Sequence, residues 1–269
     1  MMKISVITPT YNSEKTIESN INSVIEQTYK NFEQIIVDNQ SKDSTLTIAK
    51  EIYSKNNCSE KLIIISEKDE GIADAFNKGI KKASGDIITI LNSDDTYFYF
   101  NLFSDVTKIF KEKKVLFVHG DILFKDRKFG TNVRKPLMCD IRVAMPFNHP
   151  TMFFNKEVFN EVGLFDKDFR YSMDFEFVCR LIKKYDISKV GFYLDTNPLV
   201  IMKAGGASWK NEIKSINETK TALKKHGFWN LKASYHYTLR ISRTYIKKIL
   251  DKLGLNYFVK VWRRFKWSN

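Results

Sequence analysis

Glycine is scarce in this chain: there are eleven in 269 residues, and none falls in the early segment Thr8–Ser13. No GxGxxG occurs either, which excludes a dinucleotide dehydrogenase. A nucleotidyl transferase, which needs a glycine-rich basic phosphate loop near its start, is disfavoured by the same gap. Cysteine is equally sparse, with Cys58, Cys139 and Cys179 scattered and no CxxC pair. That argues against a disulfide framework and a zinc knuckle, and favours a reducing compartment. No stretch reaches the roughly 18–20 apolar residues of a membrane-crossing helix. Behind Met-Met-Lys the chain enters a strand-like run, without the apolar core of a secretory signal. The expectation is a cytoplasmic protein, touching the inner face of the cell membrane if it touches a membrane at all. Internal repeats and low-complexity linkers are absent too.

What is present is an ordinary globular mixture, 43% hydrophobic and 28% charged, rich enough in apolar residues to bury a core. Net charge is +13, and its placement is uneven. From Phe228 to Asn269 ten Lys and Arg face one acidic residue, Asp251, so this tail alone holds +9. The compositional break near Gly227 divides the chain into a body, 1–227, and a basic, aromatic helical tail, 228–269.

Through the first half, short Ile/Val-rich runs alternate with helical patterns. Strands are expected at Ile4–Thr8, Gln34–Asp38, Leu62–Ser66 and Asp86–Leu91. Helices are expected at Ser13–Gln27, Ser44–Lys55 and Ile72–Ala83, the first capped by Asn12 or Ser13 and the third stopped by Gly85. In the first helix Ile17, Ile21, Val24 and Ile25 make one apolar stripe. Four such β/α repeats, with strands apolar on both faces, describe a mostly parallel sheet covered by helices. Ligands bind such sheets at the carboxyl ends of the strands. Polar residues gather there: Thr8 to Asn12, Asp38-Asn39, Glu67-Lys68-Asp69, and Asn92 to Asp95. The second half is more mixed. Val115–Phe124 reads as a strand pair or one long strand, Met152–Phe154 as a short strand. Asp174–Tyr185 and Trp209–Lys225 read as helices.

Asn92-Ser93-Asp94-Asp95 follows an apolar strand directly. Adjacent carboxylates repel each other, and Mg²⁺ or Mn²⁺ at Asp94 and Asp95 would relieve that repulsion while bridging to substrate phosphates. The same four residues are also good turn chemistry.

These segments together resemble family 2 glycosyltransferases. Ile4-Ser5-Val6-Ile7-Thr8-Pro9-Thr10-Tyr11-Asn12 is similar to the opening of that family. Asp38 to Thr45 resembles its second signature, Asp69 to Gly79 its third, and Leu91 to Asp95 its DXD metal region, with Asn92 in place of the usual first Asp. The resemblance covers about residues 3–225. It implies a GT-A fold, a nucleotide-sugar donor (a UDP-sugar) and inversion at the anomeric carbon. It implies that Thr8, Pro9, Thr10 and Tyr11 line the base and ribose and that Asp38 hydrogen-bonds the base. Asp69, Asp74 and Lys78 fall where ribose, sugar or diphosphate is contacted, alongside Asn92, Ser93 and Asp94. In Tyr171-Ser172-Met173-Asp174-Phe175-Glu176, Asp174 matches the catalytic base, although an Asp there also suits helix capping. His149 would touch acceptor or diphosphate, or serve as a structural hydrogen-bonder. Trp209, after Gly205-Gly206, would stack on sugar beneath a closing lid, or simply pack. His119-Gly120-Asp121 reads as structural.

The tail interleaves ten aromatics with its cations, as in Val261-Trp262-Arg263-Arg264-Phe265-Lys266-Trp267. That composition suits an anionic lipid surface; packing onto the body or onto a second copy in a homodimer is the alternative. No nucleic-acid-binding motif accompanies the charge, so no nucleic-acid partner is expected. The whole describes an inverting transferase acting on a hydroxyl of a glycan or lipid-linked acceptor in cell-surface polysaccharide assembly. A nucleotide-sugar-binding module without turnover is the competing reading, disfavoured by the intact Asp94, Asp95 and Asp174.

Overall fold

The computed structural model describes residues 1–126, 130–203, 205 and 211–253. Strand β1 (Ile4–Thr10) lies at the centre, parallel to β2 (Phe32–Asp38) on one side and β4 (Ile87–Ile90) on the other. Strand β3 (Leu62–Ser66) extends the parallel run beyond β2. Beyond β4 come β9 (Phe153–Asn155), antiparallel, then β6 (Phe117–Gly120) and β10 (Gly191–Leu194). The seven strands are ordered β10-β6-β9-β4-β1-β2-β3, the mixed, mostly parallel sheet expected.

Alternation along each strand divides the core into two faces, because successive side chains point to opposite sides. Ile35 and Val37 pack on one face with Phe76, Ile80 of α3 (Ile72–Lys82) and Phe177 of α6 (Met173–Lys184). Ile36 packs on the other with Ile17 and Ile21 of α1 (Ile17–Ile25) and Tyr53 of α2 (Thr45–Lys55). Phe153 and Phe154 split the same way, Phe153 joining α4 (Leu102–Glu112). Fully burying such a side chain contributes about 1.5–3 kcal/mol. The helix α3 lies close to β1: a Cβ on Gly79 would meet Ile7 Cγ2 at 2.4 Å.

Three local expectations need correction. The first helix begins at Ile17, not Ser13, and neither Asn12 nor Ser13 caps it. Both side chains are occupied elsewhere, since Lys42 N donates to Asn12 Oδ1 (2.9 Å) and Ser13 Oγ meets Ser93 Oγ (2.9 Å). Gly85 does not end α3, which stops at Lys82; it lets the chain pass Ser5, whose Oγ would lie 2.6 Å from an added Cβ. Val115–Phe124 is not one long strand but holds two, and these lie in different sheets: β6 ends at Gly120, and β7 (Ile122–Asp126) enters a second sheet. Asp121 O accepts Leu199 N (2.8 Å) at that crossing. The second sheet, ordered β5-β11-β7-β8, joins β5 (Thr96–Tyr97), β11 (Val200–Lys203), β7 and β8 (Gly130–Arg134).

Short helices α5 (Glu157–Val162) and α7 (Ile187–Val190) flank α6. After β11 come α8 (Glu212–Lys225) and α9 (Leu231–Lys252), joined through Gly227 at φ +80°. One side of α9 meets α8: Tyr237 Oη donates to Asn217 Oδ1 (2.8 Å) and Lys247 Nζ pairs with Glu212 (3.1 Å). On its other side Leu231, Tyr235, Tyr245, Ile246 and Ile249 are each more than half exposed. No described helix is long and apolar enough to cross a membrane.

Candidate functional site

Because β1 to β4 run parallel, their carboxyl ends share one edge, with Thr10, Asp38 and Ser66 in register. Asp38 is fully buried there. Its Oδ1 accepts Thr10 Oγ1 (3.0 Å) and Ser41 Oγ, and its Oδ2 accepts Ser41 N (3.0 Å) and Ser66 Oγ (2.9 Å). These bonds shape the turn that follows β2, and a nucleobase would have to share or displace the Ser41 contacts. Thr8 is also buried and accepts Gln34 Nε2 (2.9 Å), so it supports the edge from inside, as does the buried Pro9. Tyr11, by contrast, is 60% exposed and open to a ligand.

After β4, Asp95 N bonds back to Asn92 O (2.9 Å), closing a turn. Ser93 Oγ meets Ser13 Oγ (2.9 Å), joining this turn to the loop after β1. Asp94 is partly exposed while Asp95 is 2% exposed. Burial, and then the charge of Asp94, push the Asp95 carboxyl up to about 8. Asn92 Oδ1 is buried without a partner, and the described residues offer neither aspartate a Lys or Arg ion pair. Asn92 Nδ2 (3.4 Å) and the backbone and charge of Lys203 offset the rise at Asp95 only in part, and adjacent carboxylates with a spare amide oxygen suit a hard divalent cation. Among the described residues no cluster of three or more His, Cys, Asp or Glu could hold a metal alone. Mg²⁺ and Mn²⁺ take one or two carboxylates and complete their shell with water and phosphate oxygens. Of the two, Asp94 is the accessible one.

The third polar group sits at the start of α3. Asp69 N donates to Asn39 Oδ1 (2.9 Å), and Asp69 Oδ1 accepts Gly71 N (2.9 Å). Burial, outweighing that bond, raises the Asp69 carboxyl. Lys78 Nζ lies 3.2 Å from Asp74 and 3.0 Å from Glu67, and Lys167 pairs with Glu70 (2.6 Å). Burial would raise Asp74, but Glu70 N–H and Lys78 prevail and lower it.

On the other side of α3, the His149 ring stacks on Phe76 (centroids 6.0 Å) and meets Phe165 edge-on (5.9 Å). His149 Nε2 is buried without a partner. Burial lowers the His149 pKa, opposed by the charge of Asp174. Asp174 is partly exposed in the first turn of α6, whose N-cap is Ser172, and its Oδ1 accepts Phe175 N (2.8 Å). Helix entry therefore uses one oxygen of Asp174. Glu176 is 1% exposed and committed to Arg180 (2.8 Å) and His226 Nε2 (2.8 Å). His119 is buried among aromatic rings, which lower its pKa to about 4 by desolvation, in keeping with a structural role. Trp209 lies outside the described residues.

Sequence reasoning missed the scaffold beneath this edge. Asn20, fully buried on α1, donates through Nδ2 to Asn92 O and Asp95 O (2.9 Å each). Gln34 Nε2 donates to Asn20 Oδ1 (2.9 Å), and Tyr53 Oη donates to Gln34 Oε1 (2.7 Å). An asparagine beside the apolar stripe of Ile17, Ile21 and Val24 was the available signal. Asn77 was missed also; its amide donates to Phe165 O (2.8 Å) and accepts Phe165 N (2.9 Å), tying α3 to the segment before Asp174.

Residues 5–191 match the model of glycosyl transferase family 2. A glycosyltransferase of PGL/p-HBAD biosynthesis from Mycobacterium bovis is 30% identical over 180 residues, 65% of this chain and 68% of that protein. From Methanococcus voltae, dolichyl N-acetyl-alpha-D-glucosaminyl phosphate 3-beta-D-2,3-diacetamido-2,3-dideoxy-beta-D-glucuronosyltransferase is 30% identical over 254 residues, 85% of this chain and 76% of that protein. In fold the chain is similar to S. aureus TarS (TM-score 0.63, 22% identity), matching with 82% of its own length and 40% of the TarS chain. It is also similar to the mannosyltransferase PcManGT from Pyrobaculum calidifontis in complex with GDP-Man and Mn²⁺ (TM-score 0.62, 14% identity), over 97% of this chain and 82% of that one.

Proposed function

This chain belongs to glycosyl transferase family 2, and on that footing we propose that it moves a sugar from a UDP-sugar to an acceptor hydroxyl with inversion. The observation that carries the proposal is the accessible Asp94 at the mouth of a parallel sheet, next to the buried Asp95 whose carboxyl is pushed up to about 8, with exposed Tyr11 at the carboxyl end of the neighbouring β1. UDP would lie along that mouth, its base against Tyr11 and above the Asp38 turn, its ribose and diphosphate near Asn92, Ser93 and Asp94. Asp69, Asp74 and Lys78 would border the donor sugar. Asp94, with Asp95 behind it, would hold Mg²⁺ or Mn²⁺, which when bound neutralises charge on the leaving diphosphate. TarS solved in complex with UDP-GlcNAc supports a UDP-sugar, and the Mn²⁺ in PcManGT supports the ion.

Asp174 is the base. Its free oxygen takes the proton of the acceptor O–H as that oxygen forms a bond to the anomeric carbon. The carbon–oxygen bond to UDP breaks on the opposite face, and its electrons leave with the diphosphate. A positioned base of this kind contributes about 10²–10⁴-fold. His149, wedged between Phe76 and Phe165, would border the acceptor.

The acceptor would be a glycan or a lipid-linked glycan, as the name of the Methanococcus relative suggests for that enzyme. The exposed Leu231, Tyr235, Tyr245, Ile246 and Ile249 of α9 support a peripheral seat on the inner face of the membrane, where the cationic tail meets anionic lipid.

Thermal shift and UDP release across a panel of nucleotide sugars with Mn²⁺ test the assignment. Stabilisation by a UDP-sugar, lost in Asp94→Ala, is expected; no response to any nucleotide sugar refutes it. Co-sedimentation with phosphatidylserine vesicles should fall in the double variant Ile246→Asp, Ile249→Asp. Unchanged sedimentation, or a shift from dimer to monomer instead, removes the membrane seat.

A further inference from the structure

The loop that leads into the first turn of α6, and so to Asp174, has its backbone converge on one distant carboxylate. Glu218 of α8 accepts Arg170 N through Oε1 (3.1 Å), and Tyr171 N and Ser172 N through Oε2 (2.7 and 2.8 Å). Ser172 Oγ adds a bond to Ser215 O (3.0 Å) and meets Ser215 Oγ (2.8 Å). Ser172 is the N-cap of α6, and its own side chain makes no capping bond. Helix entries leave backbone N–H groups without intrahelical partners. Here a residue from another helix takes three consecutive donors in and just before that entry. Charge-assisted bonds of this sort are shorter and about twice as strong as neutral ones, and an anion there is favoured by the helix dipole.

Asp174 stands two residues beyond this clamp. Among the described residues its one hydrogen bond is to Phe175 N of its own turn, so its direction follows from where the turn is held. Further along, the buried Glu176 holds Arg180 and His226, the residue that ends α8, so a second bond ties α6 to the far end of the same helix. Glu218 therefore acts on the end of the helix that carries the reacting oxygen.

We infer that Glu218 is a positioning residue for the Asp174 base, holding the first turn of α6 at the register from which the carboxylate meets the acceptor proton. The inference rests on the proposed role of Asp174. An amide at position 218 turns an N–H₂ toward at least one backbone donor, so Glu218→Gln loosens the turn while keeping volume and leaving the donor edge untouched. A displacement near 1 Å of a reacting group costs about 100-fold in rate.

The test is a double-mutant cycle on UDP release, using the UDP-sugar that the panel identifies. Glu218→Gln is expected to lower kcat about 10- to 100-fold. The donor KM and the affinity for UDP with Mn²⁺ should stay within about two-fold. In an Asp174→Asn background, Glu218→Gln should cost nothing further. An unchanged kcat for Glu218→Gln, or the same fold-loss in both backgrounds, overturns the positioning role. A wild-type rate for Asp174→Asn overturns the base assignment first, and the positioning role with it. Should Glu218→Gln fail to fold, Glu218→Asp is read in the same cycle.

Discussion

Replacing Asn20 by alanine puts the support of the Asp94 turn to a direct test. Asn20 is fully buried, and its amide bridges α1 to both ends of the turn through Asn92 O and Asp95 O. Without it, Asn92 O still accepts Asp95 N (2.9 Å), and Gln34 Nε2 still reaches Thr8 Oγ1. Asp95 O is the group that loses its donor. An orphaned buried acceptor costs about 1–3 kcal/mol, and each surrendered bond about 1 kcal/mol. The expected loss in unfolding free energy is therefore about 3 kcal/mol. The same change should weaken Mn²⁺-dependent UDP binding about 10- to 100-fold, the usual effect of removing a group that orients a metal ligand. Urea denaturation followed by fluorescence measures the first, and calorimetric titration of UDP with and without Mn²⁺ the second. A variant as stable as wild type would refute the argument. A variant that is destabilised but binds UDP with undiminished Mn²⁺ dependence would confine Asn20 to folding.

Glu33, 4% exposed at the opposite end of the sheet, gives a pH dependence. Burial alone would raise its carboxyl, but bonds from Lys3, Ser5 and Ser84 hold it at about 2, against a usual 4.5. Its contribution of about 3 kcal/mol is whole above pH 4.5 and is lost as the pH falls towards 2. Between pH 5 and pH 3, wild type should lose about 2 kcal/mol more stability than Glu33→Gln; equal slopes in urea titrations would contradict this. Gly79→Ala forces a methyl against the fully buried Ile7 and should cost about 1–3 kcal/mol, read as a lower midpoint of denaturation. Chelation with EDTA should abolish UDP release and re-addition of Mn²⁺ restore it, whereas Asp94→Ala should need far more Mn²⁺. Asp174→Asn should bind UDP like wild type and lower kcat about 10²–10⁴-fold.

The parallel core was legible because its signals are local. Ile/Val runs and a 3.6-residue apolar stripe specify β1 to β4 and their helices with little reference to the rest of the chain. Leu62–Ser66 emerges as expected, and Ile72–Ala83 is one residue too long. The second sheet was not legible, since the end of β6 is set by contact with Leu199, some eighty residues away. The sequence offered Asp38 and Thr8 as ligand contacts; it did not show that both also bond within the edge, Asp38 to Thr10, Ser41 and Ser66 and Thr8 to Gln34. A polar residue closing a buried strand looks alike in either case, and only its partners tell the two apart. Asn20 and Glu218 escaped for the same reason: both serve backbone atoms distant in sequence, which no periodicity records.

The paired bonds of Asn77 with Phe165 have a mechanical consequence. A side-chain amide there imitates a strand neighbour, taking the N–H and the C=O of one residue at once. Helix α3, which would border the donor, and the stretch leading to Asp174 thus share a rivet. Substrate entry that widened the gap between them would have to break two buried bonds together. The two sides of the proposed reaction centre are held at a fixed spacing before any ligand arrives.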